Sequence, residues 1–512
     1  MRRILLPISL GLCLFASAQK KGSPGKYAST ITANDMKKHL YIIASKEMEG
    51  RDTPSPGLEK AANYIEEHFK SLGLTPANNG SYRQYYPLYK DSVTNTAVKV
   101  NGTAFELTKD FQPSASINHT AELRFSEAVF VGFGIVDGEM NPYRDVDVRG
   151  KLVIVLNGTP TGYKPSNTSG GNPGGLMAKL TRAQEKGAAA VLIVNTDFPR
   201  KSFNATTNYT MRGYASSILP QTFSISETVA AAIMGEDGKS VVEKTKASFA
   251  GAKTYTANID LSFFRHTTIA QASNVAGVIE GTDKKDEYVL ITSHYDHVGK
   301  RNDSTIYYGA DDDGSGTTGV LELAEAFAKA KAAGHGPRRS IVFMTVSGEE
   351  KGLWGSEYYA NNPLFPLEKT TVDLNIDMIG RVGEEYLTSK DSGNYVYVIG
   401  DDKLSTDLTP ITDNINKKNM KMVLDRKYND PNDKNRFYYR SDHYNFAEKG
   451  VPVIFYFNGV HKDYHKPTDT PDKINYPLMA KRGQLVFYTA WEMANRNDML
   501  KRDLKLEKPK GF

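Results

Sequence analysis

The sequence predicts an α/β fold in which a mostly parallel sheet is covered by helices on both faces and a small strand-rich domain is inserted. From about residue 270 onward, short apolar runs alternate with helical patterns. This alternation is typical of a parallel sheet buried on both faces. Between residues 118 and 250, short apolar runs lie between turn residues, which indicates a compact unit inserted into the larger domain.

Length and composition agree with a soluble protein of more than one unit. The chain has 512 residues, of which 39% are hydrophobic and 24% charged, and a single hydrophobic core rarely grows to this size. The net charge is only +5 and the basic residues are dispersed, so we expect no nucleic-acid partner. We predict a signal peptide (1–18), a main domain in two parts (19–117 and 251–512) and the inserted domain (118–250).

The first residues, MRRILLPISLGLCLFASAQ, have the pattern of a cleavable secretory signal. They predict a secreted or periplasmic protein, and no apolar segment is long enough to predict stable membrane insertion. Cys13, the only cysteine, lies inside this signal. A metal in the mature protein would therefore be bound by His, Asp and Glu.

Two helices are predicted in the first part of the main domain. Thr32 has the character of a helix cap, with Asp35 three residues later, and is followed by apolar residues at helical spacing. After the turn RDTPSPG, a second apolar stripe ends at Gly73, a residue type that commonly stops helices.

The second part of the main domain contains a series of predicted buried strands. They are the segments EYVLITSH, SIVFMTVSG, TVDLNIDMIG, YVYVIG and VPVIFYFNG, and a helix is predicted from Thr317 to Lys331. In a sheet of this kind, ligands bind beyond the carboxyl ends of the strands.

Potential metal ligands stand at these strand ends. One such residue alone is more often structural than functional, but several at one edge of one sheet favour a metal site. Histidine and carboxylate ligands without cysteine suit catalytic zinc, with cobalt or manganese as substitutes. The set is too large for one tetrahedral ion and favours two ions that share a carboxylate, with a spare Glu as general base. The residues are His294, Asp296, Asp311, Asp312, Asp313, Glu349, Glu350, Asp377, His465 and Asp469.

Five motifs in this order resemble one enzyme family. The segments SHYDHVG, GADDDGSGTTGV, SGEEKGLWGS, NIDMIGR and YHKPTDTPD resemble the co-catalytic di-zinc exopeptidases that include bacterial leucyl aminopeptidase, aminopeptidase Y and glutamate carboxypeptidase II. EGRDTPSPG and SNVAGVIEG also look like family signatures. Residues 118–250 resemble the protease-associated domain that many members carry, so that 19–117 and 251–512 would form the catalytic domain.

The resemblance implies a role for each matching metal ligand. It implies that His294 and Asp377 bind one zinc ion, and that Glu350 and His465 bind the other. Asp312 matches the bridging carboxylate, and the bond between Asp312 and Asp313 matches a peptide that is commonly cis in the family.

The resemblance also implies three catalytic residues. Glu349 would be the general base that takes a proton from water and delivers it to the leaving amine. Asp296 would orient the imidazole of His294, and Tyr464 matches a tyrosine that stabilises the oxyanion in several members.

The expected activity is removal of N-terminal residues from peptides with a free N-terminus. A carboxypeptidase or dipeptidase on the same scaffold is the alternative; it would need arginines near the substrate carboxylate, and the sequence does not place Arg381, Arg436 or Arg440 there. A non-catalytic binding relative and a one-zinc glutaminyl cyclase fit less well, because the ligand set is complete. The oligomeric state and the preferred residue stay open.

Overall fold

The computed structural model describes residues 23–166, 171–213, 217–238, 243 and 251–507. The predicted signal peptide and Cys13 lie outside these ranges. The chain divides into two compact units, one formed by the residues up to Tyr86 together with Ala272–Leu506, and the other by Pro87–Gln271 with Glu507. The predicted inserted domain, 118–250, falls within the second unit, which extends further at both ends.

The first unit contains the predicted sheet. Its central strand, Lys284–His294, is parallel to both neighbours, Arg339–Val346 and Thr370–Ile376, and the latter is parallel to Val453–Phe457. The prediction of a mostly parallel sheet is thereby confirmed. In spatial order the strands are Val423–Asp425, Tyr395–Ile399, Val453–Phe457, Thr370–Ile376, Lys284–His294, Arg339–Val346 and the end of Lys253–Ile279.

The strands of this sheet are buried on both faces. Every residue of Arg339–Val346, Thr370–Ile376 and Val453–Phe457 is buried, and the first and last of these strands are largely apolar, as expected for a sheet covered on both faces. Thr370–Ile376 instead contains the polar residues Asp373 and Asn375, which accept hydrogen bonds from Thr292 Oγ1. Three short strands complete the unit: Thr75–Pro76 pairs with the end of Lys253–Ile279, and Lys300–Asn302 pairs with Thr305–Ile306.

Helices cover the sheet, and the two that were predicted in the first part of the main domain begin at capped positions. The Thr32 side chain accepts a hydrogen bond from the Asp35 N–H, and Ser55 accepts one from Leu58. No helix among the described residues is both long and apolar enough to cross a bilayer. The α-helices of the unit are Pro24–Ala28, Ala33–Ile43, Pro56–Ser71, Gly314–Ala332, Trp354–Asn361, Leu408–Asn419, His443–Glu448 and Tyr476–Asn495.

The second unit has a smaller sheet of its own. Leu152–Leu156, Ala190–Val194 and Gln221–Ile225 run parallel to one another, and their apolar residues form its core. The remaining strands are Ala121–Phe130, Phe111–Pro113, Thr103–Ala104, most of Arg83–Val100 and the first part of Lys253–Ile279, and the α-helices are Leu176–Glu185 and Glu227–Met234. The long strand Lys253–Ile279 was not predicted, since exposed polar residues interrupt its apolar pattern.

Candidate metal centre

Three neighbouring strands deliver side chains to one edge of the first unit's sheet. His294 is the last residue of Lys284–His294, and Asp377 directly follows Thr370–Ile376. Glu349 and Glu350 open a short 3-10 helix after Arg339–Val346. The carboxyl ends of parallel strands meet at the same edge, so residues distant in sequence converge there.

Asp312 reaches the same edge from the loop before the helix Gly314–Ala332. The helix begins three residues earlier than predicted because the Asp313 side chain caps it, accepting a hydrogen bond from Gly316 N–H at 2.8 Å. The peptide bond between Asp312 and Asp313 is cis, as the resemblance implied. Asp313 also accepts hydrogen bonds from the backbone N–H groups of His294 and Met378 at the strand ends.

The two oxygens of Asp312 face two different histidines. Oδ1 lies 3.4 Å from His294 Nε2, and Oδ2 lies 3.0 Å from His465 Nε2. Asp377 Oδ1 is 3.6 Å from His294 Nε2, and Glu350 Oε2 is 3.1 Å from His465 Nε2. The structure thus forms two ligand clusters that share Asp312, and all five metal ligands named from the sequence lie in them.

The donor atoms suit zinc. His294 Nε2, Asp312 Oδ2 and Glu350 Oε1 are buried, and within the described part of the chain they have no hydrogen-bond partner. Buried polar atoms nearly always have a hydrogen-bond partner, so three neighbouring buried atoms without one indicate a position for a bound ion. Four ligands about 2.0–2.2 Å from a tetrahedral zinc lie about 3.4 Å apart, close to the separations of 3.0 to 3.6 Å between these atoms.

The charges of the site also call for a cation. Burial by itself would lower the pKa of His294, but Glu349 and Asp377 raise this pKa well above its usual value. Burial would raise the pKa of Asp312, yet the neighbouring imidazoles of His294 and His465 hold it well below its usual range. The carboxylates therefore favour a positive charge, such as a bound cation, between the ligand atoms of each cluster.

Glu349 lies beside the clusters without completing either one. Its Oε2 is 3.8 Å from His294 Nε2, and its side chain is 12% exposed. Burial, together with the negative charges of Glu350 and Asp377, raises the pKa of Glu349 well above its usual value. A carboxylate with a raised pKa at the wall of a cleft is suited to accept and release a proton.

Asp296 connects several parts of the site. His294 Nδ1 lies 3.6 Å from Asp296 Oδ1 and 3.1 Å from the backbone oxygen of the same residue. The carboxylate also accepts hydrogen bonds from Thr53 Oγ1 and from the Glu349 N–H, each at 3.2 Å. Asp296 thus orients His294 through both its side chain and its backbone.

The motif EGRDTPSPG supports the loops that carry the ligands. The fully buried Arg51 donates hydrogen bonds of 2.7–2.9 Å to backbone carbonyls of Tyr295, Tyr308 and Gly309. Thr53 Oγ1 accepts from Gly348 N–H at 3.1 Å. These bonds join the chain after His294, the loop before Asp312 and the turn before Glu349.

A pocket opens at the clusters. Glu349, Asp377, Tyr464 and Arg440 line it together with apolar residues. The Tyr464 ring stacks on His465 at 3.9 Å between centroids, and its Oη lies 3.4 Å from Arg440 Nη2. Tyr464 therefore faces the space where a substrate would lie.

The three arginines considered from sequence occupy different places. Arg440 lies in the pocket, with its guanidinium over the Phe437 ring at 5.0 Å. Arg381 is paired with Asp463 at 3.0 Å and with Asp469 at 3.7 Å. Arg436 lies over the Tyr439 ring. Among these three, only Arg440 lines this pocket.

Sequence reasoning missed His297, which is fully buried beside the cluster formed by Asp312, Glu350 and His465. Its Nδ1 lies 2.8 Å from Glu350 Oε1 and 3.8 Å from Asp312 Oδ2. The available signal was its position three residues after His294 in SHYDHVG. His297 holds Glu350 on the side opposite to His465, which engages the other Glu350 oxygen.

Asp311, which had no role from sequence, is a structural residue. Its Oδ1 accepts hydrogen bonds from Ser315 Oγ and Gly380 N–H, and its Oδ2 lies 3.1 Å from His461 Nε2. Asp469 completes the arrangement by accepting from the N–H groups of Asp311 and Asp312. The three consecutive aspartates thus point to three different neighbourhoods.

Comparison with known proteins shows what this site is similar to. Residues 274–490 match the sequence pattern of peptidase family M28. Aminopeptidase YwaD of Bacillus subtilis (strain 168) is 24% identical over 71% of this chain and 67% of its own. A probable leucine aminopeptidase of Arthroderma otae is 30% identical over 44% of this chain and 58% of its own. The probable glutamate carboxypeptidase LAMP1 of Arabidopsis thaliana is 35% identical over 23% of this chain, which spans only 16% of that relative.

A solved structure shares the fold. The aminopeptidase from Aneurinibacillus sp. strain AM-1 superposes with a TM-score of 0.51, at 19% identity, over 94% of this chain and 99% of that one. The matched sequence region, 274–490, includes the strands and loops that carry every residue of the two ligand clusters. Over these residues the chain is similar to peptidase family M28.

Proposed function

We propose that this protein is a zinc-dependent aminopeptidase that removes N-terminal residues from peptides. The observation that carries the proposal is the pair of ligand clusters sharing Asp312, with Glu349 at the wall of the adjoining pocket. The match of residues 274–490 to a peptidase family and the similarity to aminopeptidases support the reaction class.

Two zinc ions fit the donor set. His294, Asp377 and Asp312 Oδ1 would hold one ion, and His465, Glu350 and Asp312 Oδ2 would hold the other. Zinc, when bound, supplies positive charge that makes water more acidic and polarises a carbonyl group. Asp313 is not among the proposed ligands, because its oxygens accept hydrogen bonds from backbone N–H groups.

Glu349 acts as the general base and then as the general acid. Its carboxylate takes the proton of the attacking water and passes it to the amine that leaves when the peptide bond breaks. Burial raises the pKa of the Glu349 carboxyl above its usual value, which favours uptake of the proton from water. Asp296 and Ser441 act indirectly by fixing His294 and Asp377.

Tyr464 and the site carboxylates position the substrate. The Tyr464 hydroxyl donates a hydrogen bond to the oxygen of the carbonyl under attack, on which negative charge develops. The protonated α-amine of the substrate binds among the carboxylates of the pocket wall, which makes the enzyme select the N-terminal residue. Peptides blocked at the N-terminus lack that positive charge.

Release of nitroaniline from aminoacyl-nitroanilides tests the proposal. The purified protein should hydrolyse free aminoacyl substrates, lose activity on treatment with a chelator and recover it on addition of zinc. N-acetylated substrates should not react. Turnover that survives chelation, or equal turnover of acetylated substrates, would contradict the proposal.

The position of Arg440 favours a second candidate activity, that of a carboxypeptidase. Its guanidinium lines the pocket 3.4 Å from Tyr464 Oη, where it would bind a substrate carboxylate. Relatives named as probable glutamate carboxypeptidases match parts of this chain. Hydrolysis of N-acetylated dipeptides with a free C-terminus, lost in Arg440→Gln, would establish this activity instead.

We further propose that the protein is exported and begins near Gln19 after processing. Support comes from the basic, apolar and small-residue segments of MRRILLPISLGLCLFASAQ. Mass spectrometry of the protein recovered from the periplasm or medium of its native host would locate the first residue. An intact Met1 in a cytoplasmic fraction would contradict export.

A further inference from the structure

We propose a second metal site, separate from the two clusters, in which His39, His68, Glu322 and Glu325 bind a divalent transition-metal ion such as zinc. It lies where the helices Ala33–Ile43, Pro56–Ser71 and Gly314–Ala332 meet. Potential ligand atoms of His39, His68 and Glu325 all lie within 4.8 Å of one another, and Glu322 Oε1 is 3.5 Å from His39 Nε2. The proposal does not depend on the peptidase reaction.

The two histidines are arranged as metal ligands. Their rings meet edge to face with centroids 4.6 Å apart. His39 Nδ1 and Tyr64 Oη lie 2.7 Å apart, and in the tautomer that donates this bond, His39 Nε2 presents its lone pair to Glu322. A ligand histidine is commonly fixed in this way through its other nitrogen.

Two buried atoms at this position lack a partner. Glu322 is only 1% exposed, and its Oε1 makes no hydrogen bond to any described residue; the same is true of the buried His68 Nε2. A carboxylate oxygen buried without a donor is costly. An ion between these atoms would satisfy both, and the 3.5 Å separation of His39 Nε2 and Glu322 Oε1 matches the spacing of about 3.4 Å in a tetrahedral zinc site.

Glu325 can contribute one oxygen to the cluster. It pairs with Lys329 through Oε1 at 2.6 Å, which leaves its other oxygen for an ion.

The position of the site suggests a structural role. Glu322 and Glu325 lie on the helix whose N-terminus is capped by Asp313, next to Asp312. His39 and His68 belong to the two helices that flank the loop containing Arg51. An ion at this position would tie together three helices that support the catalytic loops, outside the reacting groups.

Zinc analysis of the full-length protein tests the site. Protein stripped with a chelator, reloaded with zinc chloride and desalted should contain one zinc ion more per chain than His68→Gln treated identically. The matched control is His335→Gln, because His335 lies outside the cluster and bonds to Tyr27; it should retain the wild-type zinc content. His68→Gln should also keep its peptidase activity.

Zinc-edge anomalous diffraction from wild-type crystals provides a test that needs no variant. A peak between His39, His68 and Glu322 would support the site. Equal zinc content in wild type and His68→Gln, or no anomalous peak at this position in zinc-loaded crystals, would overturn the proposal. These results would leave the proposed aminopeptidase function unaffected, since its ligands are different residues.

Discussion

Ser441 Oγ donates a 2.6 Å hydrogen bond to Asp377 Oδ2, so that Asp377 Oδ1 faces His294 Nε2 at 3.6 Å. Ser441 itself accepts from Asn375 Nδ2 at 2.9 Å. The orientation of a proposed zinc ligand thus depends on a serine 64 positions later in the chain. Groups that orient metal ligands strongly affect metal affinity.

We therefore expect Ser441→Ala to weaken zinc binding by about 10- to 100-fold. The mutation removes the hydrogen bond that fixes Asp377 but leaves all ligands in place, so activity should return at high zinc concentration. Titration of apoprotein with zinc, followed by activity, measures the effect. Ser304→Ala, on an exposed loop, is the control, and equal zinc affinity in both variants would contradict this role.

Glu349→Gln and Glu350→Gln form a matched pair with different expected outcomes. Glu349→Gln should lower kcat by about 10²- to 10⁴-fold because the proton acceptor is lost, while zinc content stays unchanged. Glu350→Gln should lose zinc because it removes a ligand carboxylate. Zinc analysis and steady-state kinetics on both proteins distinguish the two roles. Loss of zinc from Glu349→Gln would contradict the assignment of Glu349 as the general base.

Asp313→Asn should reduce stability by about 1–3 kcal/mol. Asp313 accepts backbone hydrogen bonds from His294, Gly316 and Met378, and an amide NH₂ would face one of these donors. Chemical denaturation of the metal-free protein measures the change apart from zinc binding. An unchanged free energy of unfolding would show that these bonds do not support the loop.

Ionisation of Asp463, in the loop that carries His465, makes the free energy of unfolding depend on pH. Its carboxylate accepts hydrogen bonds from Arg381, Thr468 and Lys473. Burial opposes ionisation, but these three donors hold the pKa of Asp463 well below its usual value. The folded state therefore binds the proton more weakly than the unfolded state, in which the pKa is about 3.9. The resulting stabilisation is present at neutral pH and decreases as the pH falls below about 5.

Asp463→Asn should accordingly be less stable than wild type by about 1–2 kcal/mol at pH 7. The difference should narrow as the pH decreases toward 3, because wild type loses the stabilisation that the variant already lacks. Urea denaturation of metal-free protein across this range measures both curves. The control is Asp472→Asn at an exposed position, and a difference independent of pH would rule out this linkage.

The sequence was most informative about the sheet and its edge. The buried runs EYVLITSH and SIVFMTVSG predicted strands that the structure contains, since both faces of a parallel sheet require apolar residues. His294, Asp312, Glu350, Asp377 and His465 converge as the motifs implied. Pairings across long separations, such as Ser441 with Asp377, leave no local pattern and became visible only in the structure.

Other features could not be predicted for physical reasons. His297 was missed because the sequence around a second histidine does not show whether it contacts a metal ligand or simply packs in the core. The strand Lys253–Ile279 escaped prediction since its first half alternates with exposed polar residues. The cluster of His39, His68 and Glu322 joins three helices, so its members are up to 283 positions apart in sequence.

We propose above all that Asp312 joins two zinc ions at the end of this sheet. Anomalous diffraction at the zinc edge from zinc-loaded crystals tests this most directly. We predict two peaks flanking the Asp312 carboxylate, one contacting His294 and Asp377 and the other contacting Glu350 and His465. A single peak beside this carboxylate in fully loaded protein, or two peaks that Asp312 does not contact, would contradict the proposal.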